Sequence, residues 1–341
     1  MVNKVRIGIL GCANIAAKYA IKAFQSIDNA EMVAIASRNP EKAEEWASRF
    51  GLRAETSYES LINNPEIDAV YVPLPIGLHK EWIMKAAVAG KHILCEKSLS
   101  ESFVSAKEAV DFCRLNKIIL RENFMCDLHP QHQKILSLIG EGGIGKPFFF
   151  QGCFGSPFLD KSNFRFKKEF GGGSLNDMGA YTVFMARKML ESEPISVDCN
   201  MMLDEESGVD LKGAAILEFP DNMSASVAFS FDSVYQNNYS LWGSRGLARA
   251  ERAYSIPPEM KPPLKLITND GQKESISDID ASAANQFELI FRDFCDTALN
   301  KESKADEIGA MYDKIIAQAR VLEAMRLSSK EKRRVKIEEI K

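Results

Sequence analysis

The chain reads as an α/β N-terminal domain on a doubly wound parallel sheet, followed by an α+β C-terminal domain with a large, mostly antiparallel sheet. Three observations predict this. In the first third, short apolar runs alternate with segments whose apolar residues recur at helical spacing, which is the pattern of βαβ units. Past residue 122, strand-like runs follow one another with few helices between them, as in an antiparallel sheet. The 341 residues also exceed one ordinary domain of ~100–200. The boundary is expected at residue 122, giving domains 1–122 and 123–341, with the C-terminal helices packing back on the first domain.

Residues 5–10, 32–36, 69–72, 92–95 and 118–120 are expected to be buried strands, and 14–26, 41–49, 78–89 and 102–115 the helices between them. Pro40 stands just inside the second helix, and Gly51 and Gly90 just past the second and third, where capping physics places them. A helix at 131–140 opens the second half. Strands are expected at 147–154, 195–202, 211–219, 224–231, 239–242 and 264–267, interrupted by a helix at 174–190. Two helices, 283–299 and 305–327, precede a charged tail.

Lysine and arginine number 43 against 47 acidic residues, a formal net charge of −4. That balance leaves no electrostatic footprint for nucleic acid or an anionic membrane. The seven cysteines show no paired metal spacing, and an odd count in a chain this long reads as free thiols in a reducing compartment. With no signal-peptide layout at the start and no long apolar run, a cytoplasmic location is expected.

The first strand ends in GILGCANIA, residues 8–16. Read as G-x-G-x-x-G/A, it aligns Gly11, Ala13 and Ala16, with alanine at the middle position. It follows a strand and opens a helix, so Gly11, Cys12, Ala13, Asn14 and Ile15 are candidates to hold a dinucleotide pyrophosphate. The second strand ends in Ser37 and Arg38, where NAD-preferring folds carry a carboxylate. A hydroxyl and a guanidinium suit a 2′-phosphate, which predicts NADP(H) over NAD(H).

Glu96 and Lys97 stand at the carboxyl end of the fifth strand, where open α/β sheets bind ligands. Lys97 reads equally as a point charge for a substrate oxygen or as a surface lysine. In GGGSLNDMGAY, residues 171–181, Asp177 and Tyr181 are four apart and share a helical face. A neighbouring ammonium would lower the tyrosine pKa and fit it for proton transfer to an alkoxide; otherwise it is a buried aromatic.

GCANIA, VPLPIGLH, AGKHILCEK and GGGSLNDMGAY, in this order and spacing, resemble the glucose–fructose oxidoreductase/inositol dehydrogenase/rhizopine catabolism (Gfo/Idh/MocA) oxidoreductase family along essentially the whole chain. GCANIA with RENFMCDLHPQH is most similar to the NDP-hexose 3-ketoreductases of deoxysugar biosynthesis. The resemblance implies a Rossmann domain for NADP and a substrate-binding and oligomerisation domain. It implies that Lys97 orients the substrate carbonyl and Tyr181 donates the proton. Glu96 would lie beside the nicotinamide ribose, and Pro73, Leu74 and His79 would line the cofactor cleft. Asn123, Arg165, Asp177 and Gln236 are the implied substrate contacts.

The chain departs from the family at Ser98, where Glu-Lys-Pro is usual, and a trans or strained peptide is expected after Lys97. Asn14, Ile76 and Cys126–Asp127 also differ from the subgroup. His129 and His132 lie three apart with no third ligand, and no metal is assigned. The leading expectation is an NADPH-dependent reductase of a nucleotide-linked keto-deoxyhexose. The alternatives are an NADP-dependent sugar or trans-dihydrodiol dehydrogenase and a non-catalytic dinucleotide-binding regulator. A homodimer or homotetramer formed through the C-terminal sheet is expected.

Overall fold

Aliphatic runs bounded by turn residues form the first sheet: β1 (Val5–Leu10), β2 (Ala30–Ala36), β3 (Arg53–Glu55), β4 (Ala69–Val72), β5 (His92–Glu96) and β6 (Leu120–Asn123). A computed structural model describes residues 3–157, 160–269 and 271–341. The six strands pair in parallel in the order β3-β2-β1-β4-β5-β6. Between them run α1 (Ile21–Ser26, continuing a π-helical turn at Ala16–Ala20), α2 (Pro40–Phe50), α3 (Tyr58–Asn63), α4 (His79–Val88) and α5 (Phe103–Leu115). Asn39 caps α2 by accepting from the Lys42 amide at 3.1 Å, and Gly51 ends it in the left-handed region at φ 69°.

The second sheet follows α6 (Pro130–Gly140) and holds β7 (Pro147–Gly155). A π-helical turn at Leu175–Gly179 runs into α7 (Ala180–Met189). Next come β8 (Ser196–Leu203), β9 (Asp210–Glu218), β10 (Ser224–Ser230), β11 (Gln236–Gly243), β12 (Gly246–Ala250), β13 (Leu264–Asn269) and β14 (Glu274–Asp278). The chain closes with α8 (Gln286–Leu299), α9 (Ala305–Glu331) and β15 (Val335–Lys336). The strand order is β14-β13-β12-β11-β7-β10-β9-β8-β15, antiparallel throughout except that β10 runs parallel to β7.

Strand alternation gives this sheet two unlike faces. Phe150, Phe154, Tyr239 and Leu241 are buried on the face that α7 covers, whereas Met202, Ile216 and Trp242 on the other face are about half exposed.

The chain divides into two units: residues up to 124 with 287–316, and residues 125–286 with 317–341. In the first unit, Phe291 of α8 stacks on Phe24 at 4.0 Å, and the Tyr312 hydroxyl donates to the Ile118 carbonyl at 2.5 Å. In the second, the hydroxyls of Ser328 and Ser329 accept from the Cys199 and Met201 amides, both at 2.9 Å. The expected charged tail is therefore α9 continuing to Glu331, followed by β15 paired with β8. The strand expected at 118–120 lies instead at Leu120–Asn123, because its register against β5 runs from Ile93–Leu120 to Glu96–Asn123. β3, α3, β12, β14 and β15 have no counterpart among the expected elements. All seven cysteines are free, and no helix of the described residues is long and apolar enough to cross a membrane.

Candidate active site

The loop after β1 packs closely. Gly11 adopts φ +107°, donates to the Ala36 carbonyl at 2.8 Å, and faces Leu74 and Tyr58 so directly that a Cβ would lie 2.9 Å from Leu74 Cδ2. The Ala13 carbonyl accepts from the Ala16 amide at 2.9 Å to open the following helix. No side chain caps that helix at Ile15, and the Ala13 carbonyl accepts from the Ala17 amide as well, at 3.3 Å. Cys12 is half-buried, Asn14 is exposed, and burial pushes the Cys12 thiol pKa up.

At the end of β2, the Ser37 hydroxyl accepts from the Asn39 amide at 3.2 Å, and Arg38 is exposed beside it. Both line a cavity of about 370 Å³ whose walls include Thr56, Tyr58, Leu78 and Trp82. Tyr58 and Trp82 meet edge to face at 4.8 Å. The carboxylates at this cavity, Glu59 and Glu81, are both bonded to Lys85, at 3.1 and 2.7 Å. Burial raises the Tyr58 pKa, while the charge of Arg38 works against that rise.

The ends of β4, β5 and β6 carry a second group. Glu96 is 8% exposed, and its Oε1 accepts from both the Tyr71 hydroxyl at 2.6 Å and the Asn123 amide at 2.7 Å. Burial raises its pKa, and those two donors oppose the rise. Asn123 Oδ1 is buried without a hydrogen-bond partner, an acceptor left for a ligand donor. Lys97 follows at partial exposure, and the Lys97–Ser98 peptide is cis, where a trans or strained peptide was expected.

Pro73 is buried and Leu74 partly so. His79, expected to line the cleft, is fully buried at the first position of α4 and exposes no surface to a ligand. Its Nδ1 faces the carbonyls of Ser98 and Leu99 at 3.1 and 3.2 Å, and its Nε2 faces that of Leu74 at 2.7 Å. Burial lowers its pKa, and the three carbonyls pull the other way.

In the second unit, Gly171–Gly173 form the turn ahead of Tyr181. A Cβ on Gly172 would sit 2.3 Å from the Arg165 carbonyl, and one on Gly173 (φ +115°) 2.2 Å from Asp210 Oδ1. Asp210 Oδ2 accepts from the Ser174 hydroxyl at 2.8 Å and the Leu175 amide at 2.6 Å, fixing the start of the helix that carries Tyr181. Arg165 Nε donates to Asp177 Oδ2 at 2.7 Å, and Asp177 is the main reason the Arg165 pKa is raised, with Tyr181 adding to it. Tyr181 is 4% exposed and packs edge-on against Phe154 at 5.4 Å. A π-helical turn immediately before such a residue is a frequent mark of a functional site.

Gln236 does not join this group. Strand parity turns it to the exposed face of β11, opposite to Phe154 and Tyr181, where its Oε1 accepts from the Asn238 side-chain amide at 2.9 Å. His129 caps α6 with its pKa pushed down to about 4 by burial, and His132 shares a hydrogen bond of 2.9 Å with the Tyr239 hydroxyl. Tyr58, Tyr71, Trp82 and Asp210 escape a reading of the sequence. The Ser57–Ser60 capping pair marks the start of α3 and hence Tyr58, whereas Asp210 carries no local signal.

A six-stranded parallel sheet in this order, with a glycine turn after its first strand, defines a dinucleotide-binding protein. Residues 5–124 match the family described as an oxidoreductase family with an NAD-binding Rossmann fold, and residues 132–249 match the GFO/IDH/MocA C-terminal domain. The chain belongs to the GFO/IDH/MocA family and is an oxidoreductase. It is 38% identical to a dTDP-3,4-didehydro-2,6-dideoxy-alpha-D-glucose 3-reductase of Saccharopolyspora spinosa, over 78% of this chain and 80% of that one. It is 33% identical to a D-xylose 1-dehydrogenase (NADP(+)) of Haloferax volcanii, over 77% of this chain and 80% of that one. The crystal structure of a 3-ketoreductase from Actinomadura kijaniata, in complex with NADP and TDP-benzene, superposes with a TM-score of 0.89 at 31% identity, covering 96% of this chain and 98% of that one. Structures of that reductase with one lysine or one tyrosine replaced are also known, and those two positions are as far apart as Lys97 and Tyr181.

Proposed function

We propose that the protein is an NADPH-dependent reductase acting on the C3 carbonyl of a nucleotide-linked keto-deoxyhexose. The observation that carries this reading is the full-length likeness to a nucleotide-sugar 3-ketoreductase, with Lys97 and Tyr181 at the separation of the lysine and tyrosine altered there. When bound, NADPH supplies the hydride that goes to the carbonyl carbon.

The chain's own residues do the rest. N–H groups at Gly11–Ile15 hold the pyrophosphate, and Ser37 with Arg38 holds the 2′-phosphate. Glu96, kept in place by Tyr71 and Asn123, accepts from a ribose hydroxyl. The Lys97 ammonium orients the substrate oxygen, and Tyr181 gives that oxygen its proton as negative charge develops there. Arg165 and Asp177 contact the substrate. The first unit serves the cofactor, and the second serves the substrate and self-association through the half-exposed sheet face of Met202, Ile216 and Trp242.

The test is NADPH consumption with a thymidine-nucleotide 3-keto sugar. Tyr181→Phe should cost roughly 10²–10⁴ in turnover at saturating substrate, and unchanged turnover would remove Tyr181 from the proton transfer. The similarity to a D-xylose dehydrogenase favours a second reading, oxidation of a free sugar with NADP. Reduction of NADP by D-xylose, with nucleotide sugars inert, would establish that alternative.

A further inference from the structure

His79 is an unusual use of a histidine. It is fully buried, and its two ring nitrogens lie within hydrogen-bond distance of main-chain carbonyls from two separate loops, the neutral ring that burial favours donating its one N–H to one of them. Nε2 reaches Leu74, two residues past the end of β4, and Nδ1 reaches Ser98 and Leu99, the two residues that follow Lys97. Leu74 is in turn the residue against which Gly11 packs so closely that a Cβ would lie 2.9 Å from its Cδ2. On its far side the Lys97 segment is pinned by the Leu99 amide, which donates to Glu122 Oε1 at 2.8 Å. A continuous set of contacts thus runs from the glycine turn through Leu74 and the imidazole to the backbone after Lys97.

Burial of a polar ring is costly unless it is bonded, so the single N–H of the neutral imidazole donates to a carbonyl of one loop while the ring packs against the carbonyl of the other. An apolar residue at 79 would fill the same space and join nothing. The ring's role is therefore linkage.

We propose that His79 is a positioning residue that sets the Lys97 backbone by the same contacts that seat the phosphate end of the cofactor, so that binding at Gly11 stiffens the segment carrying the lysine. This rests on the dinucleotide reading of the glycine turn. It does not require the substrate to be a nucleotide sugar.

The probe is 2′,5′-ADP, which carries the adenosine 2′-phosphate end of NADP and has no nicotinamide to touch Lys97. Hydrogen–deuterium exchange on the full chain should show slower exchange at residues 8–16 and, with it, at residues 97–99. His79→Asn keeps a polar side chain but cannot span both loops. Leu74→Ala cuts the link one residue earlier and leaves the ring intact, and because Leu74 is expected to line the cofactor cleft its exchange is read at a 2′,5′-ADP concentration raised until protection at 8–16 is complete. Each should keep the protection at 8–16 and abolish the change at 97–99.

In turnover, His79→Asn should lower kcat by roughly tenfold or more while the KM for NADPH changes less than threefold, the split expected when a lysine is misplaced and the cofactor site is intact. Protection at 8–16 with unchanged exchange at 97–99 in the natural protein would overturn the proposal and leave the cofactor reading standing. Retained protection at 97–99 in both variants would overturn it as well. Absence of protection at 8–16 would overturn the cofactor reading itself, and the proposal with it.

Discussion

Replacing Tyr71 with Phe removes one hydroxyl and little else, because the ring is fully buried and phenylalanine fills its space. The lost atom donates to Glu96 Oε1 at 2.6 Å. Glu96 holds its proton to a higher pH in the folded protein than its ordinary value of 4.5, chiefly because it is buried. The folded state therefore binds more protons than the unfolded chain between 4.5 and the raised value, and stability falls as pH rises through that interval. Tyr71 opposes this fall by donating to the ionised carboxylate.

A hydrogen bond to a neutral partner contributes about 0.5–1.5 kcal/mol, and one to a charged partner about 1.5–3. Tyr71→Phe should thus cost about 1 kcal/mol at acid pH and about 1.5–3 kcal/mol once Glu96 is ionised. Urea unfolding followed by tryptophan fluorescence suits the measurement, since Trp46 and Trp82 both lie in the first unit. Glu96→Gln should remove the pH-dependent part of the difference. A destabilisation by Tyr71→Phe that is flat from pH 4.5 into the neutral range, or that shrinks as pH rises, would refute the reasoning.

Three further outcomes are expected. Gly11→Ala places a Cβ 2.9 Å from Leu74 Cδ2 at a φ of +107°, a conformation costing a non-glycine residue about 1–2 kcal/mol, and titration calorimetry should show NADPH affinity lowered at least tenfold. Equal affinity would mean that the turn does not seat the cofactor. Asp210→Ala strands the Ser174 hydroxyl and the Leu175 amide at about 1–3 kcal/mol apiece, whereas Asp210→Asn keeps an acceptor oxygen for them. Thermal melting should therefore rank Ala well below Asn, and equal melting points would discount the capping role. Arg38→Ala withdraws the exposed cation at the 370 Å³ cavity, so the ratio of kcat/KM for NADPH over NADH should fall by about tenfold or more. An unchanged ratio would assign the 2′-phosphate to other donors.

Much of the first unit was legible because its signals are local. Pro40 and Gly51 stand at the observed ends of α2, and the residues around Gly11, Ser37, Glu96 and Asn123 all lie at carboxyl ends of strands in one parallel sheet. β3 and α3 were not legible: they have three and six residues, too few for a period to show, and Ser60 stands where a capping box usually has Glu or Gln. β14 is exposed along its whole length, so no apolar alternation marks it. The face that Gln236 takes was not legible for a different reason. Sequence spacing locates it near β11, but only strand parity within the assembled sheet decides which face it takes.

The sequence by itself determined the two-part architecture, the strand–turn–helix that suits a dinucleotide, and the residue types for hydride chemistry. Those depend on periodicity and on residues a few positions apart. Tertiary structure alone decided that β10 runs parallel to β7, that His79 is fully buried facing three carbonyls, and that Glu96 is held by Tyr71 and Asn123. It also decided that Asp210 secures the turn before Tyr181, although 33 residues separate Asp210 from Asp177 along the chain. The physical reason is that a hydrogen-bond partner is chosen by proximity in the packed molecule. Local sequence states which groups need partners, and packing states which partners they receive.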